Sequence, residues 1–135
     1  MVAAALAACG SESNPQVDAI TQTYDTYIAA VKSGNGKLAC RQLTPAYART
    51  AARQVPPGKQ AELRGASCPK VIRVGTLGAL RNFEPNLTGV EIKGDRASGF
   101  DPGEGQFASQ KVLFRRLGGD WRIAGTVAAN GRLVS

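Results

Sequence analysis

The chain has 135 residues, 43% hydrophobic and 20% charged, with 17 Lys and Arg against 10 Asp and Glu for a net charge of +7. That length suits one domain, the composition is neither fibrous nor disordered, and no apolar run reaches the ~20 residues that span a bilayer. Histidine is absent, which removes the commonest general acid/base and metal ligand; no pair of carboxylates stands out at ligand spacing, so neither a metal nor a cofactor is expected.

At the N-terminus, Leu6-Ala7-Ala8-Cys9-Gly10 follows an Ala-rich apolar run and precedes a polar stretch at 11–16. This reads as a lipobox, with Cys9 acylated to become the new N-terminus. Residues 1–8 are then a signal-peptide remnant, 9–16 a tether and 17–135 one domain, held outside the cytoplasm by the lipidated cysteine. The leader is short and lacks Lys and Arg, unlike a full secretory signal, which points to a start inside a longer signal. The plainer alternative is an Ala-rich N-terminus with a stray cysteine. With Cys9 lipidated, Cys40 and Cys68 remain and can pair in an oxidising compartment. A bridge would close a loop of roughly 29 residues, worth about 3.5 kcal/mol; two buried free thiols are the alternative.

In chain order, Val17, Ile20, Tyr24, Tyr27, Ile28 and Val31 recur at helical spacing and predict a helix over 17–33. Asn14 and Pro15 supply its start and Gly34 its stop, while Asp18 and Asp25 fall off the apolar face. After a turn at 34–36, a short helix is expected over 37–43. Thr44 can cap the next helix and Pro45 suits its first turn; over 45–54 it points Tyr47 and Ala48 inward and Arg49 and Arg53 outward. A break at 55–58 precedes a helical turn at 61–65. Ser67 can cap a helix running to about Leu80, although the β-branched run at 71–74 also suits a strand. From Asn86 the period becomes two. Strands are expected over 90–93, 96–100, 106–117 and 121–127, joined by turns at 93–96, 101–105 and 118–120. In the last, Trp121, Ile123 and Val127 face the core and Arg122 faces out. Helices first and then an antiparallel sheet of about four strands define an α+β fold, with the helices on one face of the sheet.

Between Arg41 and Arg81 lie eight basic residues (Arg41, Arg49, Arg53, Lys59, Arg64, Lys70, Arg73 and Arg81) and one acid, Glu62. Such a patch attracts anionic lipid or cell-wall polymer; a solvated face that aids solubility is the alternative. It carries no aromatic interleaving for stacking bases, and with an extracytoplasmic address no nucleic-acid partner is expected. Ser67-Cys68-Pro69-Lys70 matches the S-x-x-K of penicillin-recognising enzymes, but the companion S-D-N and K-T-G elements are missing. Gly103 to Ala108 matches G-x-G-x-x-A in a turn that leads into a strand, the wrong context for binding a dinucleotide. Asn86-Leu87-Thr88 fits a glycosylation acceptor, a pattern that carries little weight beside a bacterial lipobox. An acid–base site would have to draw on Tyr24, Tyr27, Tyr47 or Asp101, and Tyr24 and Tyr27 are more simply core residues with hydroxyls reaching the rim. No catalytic residue is assigned.

The order lipobox, tether, amphipathic helix, Cys40-Arg41-Gln42-Leu43-Thr44-Pro45-Ala46-Tyr47, Cys68, then Gly89-Val90-Glu91-Ile92-Lys93-Gly94-Asp95-Arg96-Ala97 and Gly119-Asp120-Trp121-Arg122-Ile123, resembles small actinobacterial lipoproteins of the nuclear transport factor 2-like (cystatin-like cone) superfamily. The resemblance covers about Val17 to Ala128. It implies a strongly bent antiparallel sheet closing over helices as a cone, an apolar pocket, and a Cys40–Cys68 bridge between helices. Candidate pocket residues are Tyr24, Tyr27, Tyr47 and Trp121. Superfamily members include isomerases, dehydratases and cyclases, and also modules that only bind. Three readings follow: a non-catalytic, lipid-anchored domain binding a small apolar ligand or an envelope protein; a pocket enzyme using Asp/Tyr chemistry; and a basic adaptor docking on anionic lipid or cell-wall polymer.

Overall fold

The computed structural model describes residues 14–50, 58, 61–75, 80–104 and 107–128. Cys9, Arg53 and Lys59 lie outside them, as do most of the expected break at 55–58 and the end of the helix expected over 45–54.

Helix α1 (Pro15–Ser33) is built as its sequence dictates. The Asn14 side chain accepts from the Gln16 N–H at 2.8 Å, Pro15 occupies the first turn, and Gly34 ends the helix in the left-handed region at φ 76°. Asp18 in the first turn and Lys32 in the last match the helix dipole. Helix α2 (Gly36–Arg41) is capped by Asn35, whose side chain accepts from the Leu38 N–H at 3.1 Å; the turn therefore doubles as a cap. Helix α3 (Pro45–Ala48) is capped by Thr44, whose hydroxyl accepts from the Tyr47 N–H at 3.1 Å.

Two expectations for 67–80 change. Ser67 stands at the N-cap of α4 (Cys68–Lys70) but makes no side-chain cap bond, and the β-branched run is neither strand nor regular α-helix: Val71–Gly75 is a π-helical turn. Val71 and Ile72 are both buried there, in separate apolar clusters, an arrangement that a single α-helical stripe does not supply. Cys40 and Cys68 form a disulfide, S–S 2.03 Å, that ties α2 to the start of α4.

Strands β1 (Thr88–Lys93), β2 (Arg96–Asp101), β3 (Gln110–Leu117) and β4 (Asp120–Ala128) form an antiparallel sheet in sequential order. The expected third strand begins four residues late, at Gln110. One residue per face alternates along β2 and β3: Ala97, Asp101, Val112 and Phe114 are buried, while Arg96, Phe100, Lys111 and Arg115 are exposed. A bulge in β4 interrupts this parity, because Phe114 pairs with Ile123 but Leu113 with Gly125. Val127, expected inward, therefore pairs with exposed Lys111, and Thr126 takes the inward position beside Val112. Residues 42–44 line the β4 edge: the Ile123 N–H donates to the Gln42 carbonyl at 2.7 Å, and the Thr44 N–H to the Ile123 carbonyl at 2.9 Å. The core joins Ile20, Tyr24 and Ile28 of α1 to Leu43, Phe83 and the inner face of the sheet, including Trp121 and Ile123.

Candidate functional site

A cavity of about 360 Å³ lies between α1 and the inner face of the sheet. Tyr24, Tyr27 and Ile28 reach it from one face of α1, as i, i+3 and i+4 spacing requires. Tyr47 enters from α3, Leu80 and Phe83 from the loop before β1, Phe107, Ala108 and Ser109 from the β2–β3 connection, and Gln110, Val112, Ile123 and Thr126 from the sheet. None of these residues carries a charge. The rings of Phe83 and Phe107 meet edge to face, 4.9 Å apart at 65°. The hydroxyls of Tyr47 and Thr126 lie 3.4 Å apart.

Beside the cavity, among the described residues, the core holds the carboxylate of Asp101. Asp101 is 1% exposed and Tyr24 2%. The Tyr24 hydroxyl donates to Asp101 Oδ2 at 2.7 Å, and the Asn86 N–H donates to the same oxygen at 3.2 Å. Asp101 Oδ1 accepts from the Gly103 N–H at 2.8 Å, and Gln110 Nε2 donates to the Tyr24 hydroxyl oxygen at 3.5 Å. Burial first, then the hydrogen bond and charge of Asp101, push the Tyr24 phenol well above its ordinary pKa. Burial, with a smaller contribution from Tyr47, does the same to Tyr27. Asp25, at the surface, is raised by partial burial and then by the charge of Asp101. At neutral pH the phenols of Tyr24 and Tyr27 are thus firmly protonated and polar without being charged.

Of the four candidate pocket residues, Tyr24, Tyr27 and Tyr47 share this cavity and Trp121 does not. Trp121 lines a separate polar cleft with Thr23, Gln42 and Asp120; its carbonyl accepts from the Thr23 hydroxyl at 3.1 Å, and the Arg116 guanidinium sits over its ring at 5.5 Å. Its parity in β4 is inward, but it stands at the end of the strand away from Thr126. Phe83, Phe107, Gln110 and Thr126 were not among the candidates. Phe83 lies in an aperiodic connection, Phe107 falls within the expected strand 106–117 but ahead of its observed start at Gln110, and the bulge conceals Thr126. Of the basic stretch, Arg41, Arg49, Arg64, Lys70, Arg73 and Arg81 are all exposed, on separate helices and turns. Among the described residues no group of three or more His, Cys, Asp or Glu is placed to hold a metal ion, and no helix is long and apolar enough to cross a membrane.

Compared with family models, curated proteins and solved structures, the chain finds no match.

Proposed function

We propose that this chain is a lipid-anchored, extracytoplasmic binding domain of the nuclear transport factor 2-like kind, with its sheet bent over α1 as a cone. The cavity takes a small, largely apolar, uncharged molecule. One observation carries the reading: a space of about 360 Å³, within the range of small-molecule sites, is walled, among the described residues, by apolar and aromatic side chains with hydroxyls and an amide and by no charged group. An ion entering it would lose its hydration and meet no charged side chain on the described walls. An apolar body gains from burial, and a single hydroxyl or carbonyl can meet the phenol of Tyr27 or Tyr47, or the amide of Gln110.

The test uses a neutral fluorescent probe, N-phenyl-1-naphthylamine, with the full chain. Saturable binding is expected, with at least a tenfold loss in Ala108→Trp, which places an indole at the exposed rim of the cavity without touching the core. Binding unaffected by that change would sink the assignment. The anchor is tested separately, as a diacylglyceryl mass on Cys9 in protein extracted from membranes.

The buried Tyr24–Asp101 pair gives a second reading, a pocket enzyme using Asp/Tyr chemistry, its specific support. The geometry favours it less. Asp101 is committed to three donors, and Tyr24 spends its proton on Asp101, so neither is poised to exchange protons with a ligand. Turnover of any substrate that vanishes in Asp101→Asn while the variant stays folded would reverse this preference.

A further inference from the structure

The face of the sheet opposite the cavity carries a row of cations. Register places Lys93 opposite Arg96, Arg96 opposite Arg115, and Arg115 opposite Arg122, so one basic side chain from each strand stands in line across the sheet. Strand spacing makes the row about 14 Å long. Lys93, Arg96 and Arg115 are exposed and Arg122 is partly so. Their inward neighbours Ala97, Phe114, Trp121 and Ile123 are buried, which fixes the row on the outer face. Lys111 adds a fifth cation four residues before Arg115 on the same face of β3, while Glu91 and Asp120 are the acids that share this face. Among the described residues none makes an ion pair or hydrogen bond with the four side chains of the row. Like charges directly opposite on neighbouring strands repel, and here the repulsion is repeated at all three pairings. A surface of anions relieves it.

The same face carries Phe100, the exposed large hydrophobic side chain among the described residues at 40%, opposite Thr88 and Lys111. Partly exposed Leu113 lies between Phe100 and the row, beside Ser98. A soluble polyanion neutralises the cations but leaves the ring in water. A bilayer surface does both: headgroup phosphates meet the guanidinium and ammonium groups while the ring enters the interface.

We infer that the outer face of the sheet docks on an anionic phospholipid surface through Lys93, Arg96, Arg115 and Arg122, with Phe100 entering the interface. This site is distinct from the Arg41–Arg81 stretch, stands on different residues from the cavity, and does not depend on the lipid anchor.

The experiment is co-sedimentation of the full 135-residue chain, made without acylation, with phosphatidylcholine vesicles containing roughly one part in three phosphatidylglycerol, or none. Binding is expected only to the anionic vesicles, and to weaken as salt rises. Each cation near the surface contributes about fivefold to partitioning. Arg115→Gln should therefore lower it about fivefold, and Arg96→Gln/Arg115→Gln/Arg122→Gln about a hundredfold. Both variants should melt no lower than the parent, because they remove repulsion. Arg64→Gln/Arg73→Gln/Arg81→Gln removes the same charge elsewhere and should cost less than about fivefold. Phe100→Ser should weaken binding severalfold further. Equal losses in the two triple variants would show that net charge alone acts, and overturn the site. So would binding that ignores Phe100→Ser and is fully displaced by soluble polyphosphate, the signature of a polyanion site.

Discussion

Asp101→Asn tests whether the Tyr24–Asp101 network holds the core beside the cavity. The three groups around this carboxylate are all donors: the Tyr24 hydroxyl at 2.7 Å, the Asn86 N–H at 3.2 Å and the Gly103 N–H at 2.8 Å. Asparagine offers one acceptor and one donor. Facing its oxygen to Tyr24 and Asn86 sets its amide N–H against that of Gly103; the reverse sets it against both other donors. The better orientation still loses one charge-assisted bond, about 1.5–3 kcal/mol, and strands a donor in the interior, about 1–3 kcal/mol more. A net loss of about 3 kcal/mol follows, since relaxation recovers part of it. Urea unfolding followed by the fluorescence of Trp121, the single tryptophan, reads this directly; with a slope near 1.5–2 kcal/mol/M the midpoint should fall by about 1.5–2 M. Tyr24→Phe removes one donor and should cost about 1–2 kcal/mol. The double variant should be less destabilised than the sum by at least about 1 kcal/mol, because both changes break one bond. A loss below about 0.5 kcal/mol for Asp101→Asn, or strict additivity, would refute the reasoning.

Three further outcomes are expected. Tyr24 and Tyr27 hold their protons more tightly folded than unfolded, so stability is intact below about pH 10, where unfolded tyrosine ionises, and falls as pH rises beyond it. Absorbance at the phenolate band should then show their ionisation only together with unfolding; early, independent titration of all three tyrosines would contradict this. In Gly36→Ala the new methyl meets the backbone carbonyl of Pro69, which cannot swing aside; overpacking should cost about 2 kcal/mol, or about 8 °C in melting temperature, and an unchanged melt would show that α2 and α4 separate freely. Cys40→Ala/Cys68→Ala should lose about 3.5 kcal/mol, and thiol reductant should bring the parent protein to the same stability.

Legibility in the sequence followed the range of the interactions. Every end of α1 could be read from Asn14, Pro15 and Gly34, because capping and helix termination act within four residues. The hairpin turns at Gly94-Asp95 and Gly118-Gly119 were legible for the same reason: all three glycines have positive φ, which their lack of a side chain permits. The π-helical turn at Val71–Gly75 was not, since its form answers to Val71 and Ile72 burying in different clusters. Nor was the β4 bulge, a single extra residue that exchanged Val127 for Thr126 at the cavity wall and that leaves no mark in an alternating pattern.

The sequence by itself determined the α+β order of elements, the inward face of α1 with its two tyrosines, and the absence of histidine chemistry. Each follows from composition or from contacts between near neighbours in the chain. Tertiary structure alone decided that Tyr47 joins Tyr24 and Tyr27 while Trp121 faces another cleft, that Asp101 pairs with a residue 77 positions away, and that Lys93, Arg96, Arg115 and Arg122 stand in one row. A cavity is the volume left between elements, and a cross-strand row is a product of register. Both are set by how distant segments pack.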